Sequence, residues 1–431
     1  MSPLDQDALA TATAIAECLI DPSTIPASPS KHRPTPQSLA NGAAGVALLH
    51  IERARTGHGD WTTVHAWLSA AAGGDLSAGP NAGLYFGAPA LAFVIHAAAE
   101  HTGEYQRALA NLHAATTALT RTRLDHAHSR IDRGGRPALA EFDLIRGLTG
   151  LGVYHLRCDP YHEVTAAVLA YLVRLTEPLP GHTDGLPGWW SDLAPTGQTT
   201  PNYPGGHGNF GMAHGIAGPL ALLSLALRCG IVVDGHTDAI NRICAWLDTW
   251  QQDHPADSWW PRTITPDEVH GGRTRQARPL QPSWCYGTPG LARAQQLAGL
   301  ATGDTERQRT AETALLGCLS DPTQLALITD SGLCHGTAGL LHTSWRMSAD
   351  TVALDTAALD TAALDTTALD TTAPDIVAHL PQLSERLLTQ LRSSPQGAEL
   401  LDGSTGAALT LHTTATDTAP LCHWDACLLL A

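Results

Sequence analysis

The sequence predicts an all-α fold in which helix pairs close into a ring. The first observation is a local pattern that recurs seven times: a Gly follows a polar or aromatic residue, a small residue returns three positions later, and an apolar run begins. The second is the spacing of 45 to 72 positions between the leading glycines, enough for two helices and their connections. The third is an Ala- and Leu-rich composition, which favours helix. The leading glycines are Gly42, Gly87, Gly147, Gly215, Gly287, Gly336 and Gly403.

Each repeated segment is predicted to begin an inner helix. A Gly can serve near the N-cap, and small residues three positions apart keep bulk off one side of the first turn, so that helix ends can crowd together. Ala90 replaces the returning Gly of the second segment, which should affect packing alone. The unequal intervals fit a closed toroid with variable outer loops better than an open solenoid of constant repeat length. In a closed ring the helix starts converge at one mouth, where side chains distant in sequence can meet.

Two segments depart from this pattern. Residues 122–137 are rich in His, Arg, Asp and Gly, and they are predicted to form a polar loop. At about residues 352–374 a five-residue unit, Ala-Leu-Asp-Thr-Ala with variants, repeats with a period that fits neither helix nor strand. We interpret it as a low-complexity insertion of little catalytic importance in a single toroid domain that spans residues 1–431.

Composition restricts the partners and the location. The formal net charge of -16 would repel a phosphate backbone, so nucleic acid is not an expected partner. No Lys or Arg precedes Lys31, so the positively charged start of a secretory signal is missing. The longest apolar stretch, residues 215–227, is too short to span a membrane. We expect a cytoplasmic protein whose nine irregularly spaced cysteines are free thiols or metal ligands and do not form a disulfide framework.

A metal site is predicted where two cysteines occupy matching places in the repeat. Cys285 and Cys334 each stand two positions before a leading Gly, and His335 stands one position before. In a closed ring, both cysteines would project from the starts of successive inner helices into the same mouth. Two thiolates and an imidazole suit one zinc ion and leave its fourth position for water or substrate. The alternative is that both cysteines are small buried packing residues, and their matched positions favour zinc.

Two other residues are predicted to face the same mouth. His214 directly precedes a leading Gly, as His335 does, and is either a fourth metal ligand or a general acid and base. Its register favours the acid-base role. Asp143 stands four residues before Gly147, where a carboxylate can orient a His across the mouth or cap the inner helix. The spacing alone favours the cap.

The remaining cysteines are predicted to be packing residues. The segment Cys422-His-Trp-Asp-Ala-Cys427 resembles a second metal cluster, but it offers three soft ligands on a terminal segment and we do not expect it to bind metal. The other five cysteines lie in or beside apolar helical stretches: Cys18, Cys158, Cys229, Cys244 and Cys318.

The motifs resemble those of the lanthionine synthetase C-like family over nearly the whole chain. Besides the seven segments, the resemblance rests on Gly-Leu-Pro-Gly-Trp-Trp at 185–190, Gly-Met-Ala-His-Gly-Ile-Ala-Gly-Pro at 211–219, Trp-Cys-Tyr-Gly-Thr-Pro-Gly at 284–290, Cys-His-Gly at 334–336 and a closing Trp424 with Leu-Leu-Leu at 428–430. It implies a double α/α barrel of about seven helix pairs. It also implies zinc ligation by Cys285, Cys334 and His335, and proton transfer by His214 and Asp143. For Asp143 this outweighs the preference for a cap.

The sequence departs from the family pattern at one place near the site. Well-known members have an Arg four residues before the first zinc-binding Cys, whereas this chain has Gln281, with Arg278 and Arg275 further upstream. Arg278 and Arg275 are the candidates to replace the family Arg. We expect substrate contacts from Arg278, Trp284 and Tyr286.

The resemblance implies a zinc-dependent lanthipeptide cyclase that acts on a precursor peptide with a leader. A separate dehydratase would first convert Ser and Thr residues to dehydroalanine and dehydrobutyrine, and cysteine thiols would then add to them to form thioether rings. A stand-alone cyclase is expected, since the chain has no room for a dehydratase region. The alternatives are glutathione addition to dehydrated residues and a non-catalytic peptide-binding toroid. Retention of the three ligands and His214 argues against the second.

Overall fold

The inner layer of the structure is a ring of seven helices. The computed structural model describes residues 1–24, 35–253, 258–361, 373–394 and 396–431. Every inner helix begins one or two residues after the leading Gly of a repeated segment. The inner helices are α2 (Ala43–Arg55), α4 (Ala88–Thr102), α7 (Leu148–Cys158), α9 (Ala217–Arg228), α12 (Thr288–Thr302), α15 (Thr337–Thr361) and α17 (Ser404–Thr416). Each contacts the next in this order, and α17 contacts α2, so the ring is closed.

Seven outer helices complete the pairs. They are α1 (Pro3–Cys18), α3 (Trp61–Ala71), α5 (Gln106–Asp132), α8 (Glu163–Leu175), α10 (His236–Trp250), α13 (Thr305–Ser320) and α16 (Ala373–Ser393). Six of them follow their inner partner along the chain, whereas α1 packs against α17. The first and last long helices therefore form the seventh pair. The prediction of an all-α double barrel with about seven helix pairs is confirmed.

Short elements lie in the connections between these pairs. Three short helices are α6 (Leu139–Phe142), α11 (Pro266–Gly271) and α14 (Pro322–Leu325). The strands β1 (Gly208–Asn209) and β4 (Thr263–Ile264) pair antiparallel, as do β2 (Gln252–Asp253) and β3 (Ser258–Trp259). The first strand pair matters for the site, because it ties the chain before α9 to the chain before α11.

The hydrophobic pattern of each helix agrees with its layer. In the inner helix α4, every residue from Ala88 to Val94 is buried, as expected for a helix that is apolar on all sides. In the outer helix α10, the buried residues include Ala239, Ile240, Ile243 and Leu247, which share one face at helical spacing. The core therefore lies between the two layers and within the inner ring.

The returning glycines are required by the loops that enter the inner helices. A Cβ atom on Gly290 would lie 1.9 Å from the carbonyl oxygen of Trp284, six residues earlier. A Cβ atom on any of the other returning glycines would likewise lie too close to the carbonyl oxygen six residues earlier. The small residues thus make room for the chain's own turn, rather than for a neighbouring helix as the sequence suggested. The second segment differs because Gly87 has a positive φ of 76°, and this different turn is the one that carries Ala90.

Hydrogen bonds between neighbouring entry loops hold the mouth of the ring together. Six backbone bonds join successive loops: Leu144 N–H to Ala213 O (3.1 Å), Ala213 to Cys285 (3.4 Å), Cys285 to Cys334 (3.2 Å), Cys334 to Leu401 (2.9 Å), Leu401 to Ala40 (3.2 Å) and Leu39 to Tyr85 (3.0 Å). The guanidinium of Arg123 links the remaining two loops by donating to the carbonyls of Ala82 and Arg146. All seven loops are therefore tied into one circle around the mouth.

Several predictions outside the site are corrected. The predicted polar loop at residues 122–137 is wrong up to Asp132, because α5 continues through it and buries Leu124, Ala127 and Ile131 on one face. The predicted insertion at about 352–374 lies partly outside the described residues, which do not include 362–372, and its first part, residues 352–361, is the end of α15.

The cysteine predictions also need correction. Cys244 and Cys318 are buried as expected for packing residues and Cys158 is half-buried, but Cys18 and Cys229 are exposed at helix ends. A packing role is therefore wrong for these two.

Among the described residues no helix is long and apolar enough to cross a membrane.

Candidate functional site

The three predicted metal ligands meet at the mouth of the ring. The ligand atoms of Cys285, Cys334 and His335 all lie within 4.8 Å of one another. The circle of backbone bonds explains this proximity, because the N–H of Cys285 donates directly to the carbonyl of Cys334. Two cysteines that are 49 positions apart in sequence are thereby neighbours on adjacent loops. Cys285 is buried, Cys334 is half-buried and the side chain of His335 is 46% exposed, so the group is open to the mouth.

The proton arrangement of this group suits a metal site. Hydrogen bonds from the Cys334 thiol and from His335 lower the pKa of Cys285, despite its burial. The bond to Cys285 raises the pKa of His335 to about 9, with further support from the carboxylates of Asp330 and Asp402. The bond to Cys285 and burial together raise the pKa of Cys334. The contacts therefore favour ionisation of Cys285, and a metal ion binds such ligands by displacing their protons.

The donor set fits zinc. A tetrahedral zinc ion bound to sulfur and imidazole nitrogen places its ligand atoms about 4 Å apart, so small side-chain adjustments bring the three atoms to an ion. Soft thiolates with one imidazole select zinc over magnesium or calcium. Three protein ligands leave one position for another group. Within the described ranges, Cys422, His423 and Cys427 do not form a comparable cluster.

The loops that carry the ligands are fixed by neighbouring side chains. Gln281 donates its amide N–H to the carbonyl of His335 (2.6 Å), which links the two ligand loops a second time. The hydroxyl of Ser283 accepts the N–H of Tyr286 (3.3 Å) at the start of α12. The carboxylates of Asp330 and Asp402 lie 3.7 and 3.9 Å from the two nitrogens of His335. These contacts restrict the rotation and position of the ligand side chains.

His214 and Asp143 form a hydrogen-bonded pair beside the cysteine loop. The Nδ1 of His214 lies 2.7 Å from a carboxylate oxygen of Asp143, and the imidazole is 32% exposed while the carboxylate is completely buried. The other oxygen of Asp143 accepts the backbone N–H groups of Arg146 (2.6 Å) and Gly147 (2.8 Å) at the start of α7. Asp143 thus caps the helix and holds the His at once, so the two roles considered from the sequence coexist.

The ring of Tyr286 lies next to His214, whereas Trp284 lies behind the site. The His214 and Tyr286 rings are stacked with centroids 6.1 Å apart. Trp284 is completely buried and donates its indole N–H to the carbonyl of Leu428 (2.9 Å). It therefore supports the Cys285 loop from the core and presents no surface to a substrate, contrary to the contact expected from the sequence.

The upstream arginines do not join the group at the mouth. Arg278 lines a cavity of about 670 Å³ between the chain near Pro279 and the α13–α14 region, and the lining contains none of the three metal ligands. Arg275 is exposed and pairs with Asp267 (3.1 Å). A substrate contact by Arg278 stays a prediction.

Sequence reasoning missed a different arginine and an acidic residue. Arg262, just before β4, places its guanidinium carbon 4.6 Å from the centre of the Tyr286 ring. No motif marked Arg262, because a strand pairing brings it to the mouth. Asp402 could have been found, since it precedes the seventh leading Gly just as His335 precedes the sixth.

Comparison with known proteins assigns this architecture to a family. The family model described as lanthionine synthetase C-like protein matches residues 33–429. The chain belongs to the lanthionine synthetase C-like family. The resemblance inferred from the motifs is thereby confirmed.

Two comparisons of this lanthionine synthetase C-like chain lead to names that refer to nisin. The nisin biosynthesis protein NisC of Lactococcus lactis subsp. lactis is 27% identical over 207 residues, which cover 47% of this chain and 48% of that protein. The alignment thus spans about half of its length. The solved structure of nisin cyclase matches 98% of this chain and 96% of that chain, with a TM-score of 0.76 and 19% identity. This likeness shows that the two share the toroid fold.

Proposed function

We propose that the protein is a zinc-dependent lanthipeptide cyclase. The observation that carries this proposal is the convergence of Cys285, Cys334 and His335 within 4.8 Å at an open mouth, next to the hydrogen-bonded His214 and Asp143. Membership of the family, the similarity to NisC and the likeness to the nisin cyclase structure support the same activity. A packing or purely structural role would not require an exposed imidazole beside two paired thiols.

The substrate in this proposal is a precursor peptide with a leader, dehydrated beforehand by a separate dehydratase in the cytoplasm. A cysteine thiol has a pKa near 8.5 and is mostly protonated at neutral pH. One zinc ion held by Cys285, Cys334 and His335 would supply a substrate thiolate at its fourth position. The thiolate sulfur forms a bond to the β-carbon of the dehydro residue, and the α-carbon then gains a proton.

His214 is suited to move the protons of this reaction. Its Nδ1 is bound to Asp143, so the nitrogen that exchanges a proton with the peptide is Nε2. The buried carboxylate holds the ring in one orientation, as in other His–carboxylate pairs. His214 would take the proton from the substrate thiol and return one to the α-carbon, so that the peptide gains and loses no atoms.

The proposal is tested by coupling metal analysis to a cyclisation assay. The substrate is a synthetic peptide with one dehydroalanine and one cysteine, and ring formation is the loss of alkylatable thiol without a change in mass. We expect Cys285→Ala and Cys334→Ala each to lose bound zinc and cyclisation together. Cys244→Ala is the matched control, because it removes another buried cysteine that lies in α10, away from the mouth.

The same assay separates the alternative functions. Added glutathione that appears in the product as a mass increase would favour glutathione addition. Tight peptide binding without any thiol loss would favour a non-catalytic toroid. Cyclisation by a variant shown to be free of zinc would refute the proposed role of the metal.

A further inference from the structure

The guanidinium of Arg262 lies over the ring of Tyr286 at the mouth. Its side chain is exposed, and its guanidinium carbon lies 4.6 Å from the centre of the Tyr286 ring. Tyr286 in turn stacks on His214, with ring centroids 6.1 Å apart. The guanidinium, the phenol ring and the imidazole thus form a column, and its middle residue directly follows Cys285 in the chain. A cation over an aromatic face is attracted by the electrons of the ring, which holds the guanidinium in this place.

The backbone of Arg262 is fixed to the loop that carries His214. Its carbonyl accepts the N–H of Phe210 (3.1 Å), and its own N–H donates to the side chain of Gln276 (3.1 Å). The neighbouring strands β1 and β4 pair next to this point, with Asn209 opposite Thr263. The backbone of Arg262 therefore keeps a fixed position relative to the loop that carries His214. A residue on an unpaired loop would not be held in this way.

The same side chain lines a cleft at the mouth. The cleft has a volume of about 380 Å³, and both Arg262 and Tyr286 belong to its lining. The rest of the lining comes from one connection, residues 194–203, and includes the hydroxyls of Thr196, Thr200 and Tyr203 and the amide of Asn202, which suit a peptide backbone. A peptide in this cleft would lie against both the guanidinium and the Tyr286 ring.

The proposed reaction creates negative charge that needs such a partner. When the sulfur bonds to the β-carbon, the electrons of the carbon–carbon double bond move to the adjacent carbonyl oxygen and form an enolate. Protonation of the α-carbon then restores the carbonyl. A fixed cation at the position of the developing charge lowers the barrier, because it needs no reorganisation during the reaction.

We propose that Arg262 binds the carbonyl oxygen of the dehydro residue and stabilises the enolate formed there. This inference rests on the proposed cyclase function. Two other arginines near this end of the molecule are less suited to the task. Arg146 lies 3.9 Å from the buried carboxylate of Asp143, which offsets its charge, and Arg278 lines a different cavity.

The test compares Arg262→Gln and Arg262→Lys with the control Arg273→Gln, which removes an exposed arginine from the same connection. Cyclisation kinetics are measured on the dehydroalanine peptide. Binding is measured separately on the same peptide with serine in place of dehydroalanine. We expect Arg262→Gln to lower kcat by about 10²- to 10³-fold, the usual effect of removing one oxyanion donor. Zinc content, thermal midpoint and binding of the serine peptide should stay near the wild-type values, and Arg262→Lys should recover part of the rate.

Three results would overturn the inference. They are a wild-type rate in Arg262→Gln, a loss of zinc or thermal stability in that variant, and a weakening of serine-peptide binding that accounts for the whole loss of rate. A wild-type protein that leaves the dehydroalanine peptide unchanged would instead overturn the proposed function, and this inference with it. An active wild type matched by Arg262→Gln would overturn the inference alone.

Discussion

Among the described residues, two short histidine–carboxylate hydrogen bonds of similar length lie in different places, one through Nδ1 of the imidazole and one through Nε2. At the mouth, His214 lies 2.7 Å from Asp143, and in the core His342 lies 2.9 Å from Asp425. Both carboxylates are completely buried. The imidazole of His214 is 32% exposed, whereas that of His342 has no exposed surface. Access to the imidazole, rather than the pair itself, is what makes the first a candidate for proton transfer.

The partners of the two carboxylates differ as well. Asp143 receives two backbone N–H groups at the start of α7, whereas Asp425 receives the guanidinium of Arg346 at 2.6 Å. Burial opposes ionisation of Asp425, but the charge of Arg346 and the bond from His342 outweigh it and lower the pKa of Asp425. The core pair is thus part of a buried ionic cluster, which stabilises the fold and cannot reach a substrate.

The core pair anchors a C-terminal segment beneath the mouth. Carbonyl groups of this segment accept hydrogen bonds from Tyr85 (2.8 Å), Trp284 (2.9 Å) and Arg293 (2.6 Å). Because Trp284 directly precedes Cys285, the segment also supports one of the proposed metal ligands from below. The His342–Asp425 pair therefore has a structural role, whereas the His214–Asp143 pair has the proposed role in the reaction.

The largest expected effect is a difference in stability between variants of the two carboxylates. We expect Asp425→Asn to lower the free energy of unfolding by about 3–5 kcal/mol, because it removes one charge from a buried ion pair and leaves Arg346 uncompensated. Asp143→Asn should cost about 1 kcal/mol, since its side-chain oxygen can still cap α7. Urea unfolding of both variants measures the difference. Equal losses would show that the two carboxylates have the same structural role.

The second prediction compares the two histidines by their effect on the rate of cyclisation. We expect His214→Gln to lower kcat for cyclisation about a hundredfold, equivalent to about 3 kcal/mol in activation free energy, while zinc content and thermal midpoint stay unchanged. His342→Gln should show the reverse pattern, with lower stability and a normal kcat for the folded fraction. Loss of zinc from His214→Gln would instead identify His214 as a fourth metal ligand.

The fold was largely predictable because its signal is repeated. Seven glycine-led segments mark the seven inner helices. A Cβ atom on any of the leading glycines would clash with a backbone atom of its own entry loop. The continuation of α5 to Asp132 was missed, because its polar composition conceals buried residues at helical spacing. The pairing of α1 with α17 was also hidden, since nothing local in either helix specifies contact between the chain ends.

The candidate site was predictable where it follows the repeat register. Cys285, Cys334, His335 and His214 all stand one or two positions before a leading Gly, and the circle of backbone bonds brings these positions together. Arg262 lies outside that register and reaches the mouth through the pairing of β1 with β4. Short pairings of this kind depend on tertiary packing, so a single sequence carries little sign of them.

The smallest expected effect concerns the dependence of folding on pH at the core pair. Burial lowers the pKa of His342, although Asp425 opposes the shift. A His in the unfolded chain titrates near 6.5, so below that pH the unfolded chain binds a proton that the folded chain does not. The free energy of unfolding must therefore fall as the pH falls, with the full contribution present above 6.5. Relative to His342→Gln, the wild type should lose about 1 kcal/mol per pH unit below about pH 6, as measured by urea unfolding. Parallel curves for the two proteins would mean that His342 keeps its ordinary pKa in the core, and the distinction between the pairs would then rest on exposure alone.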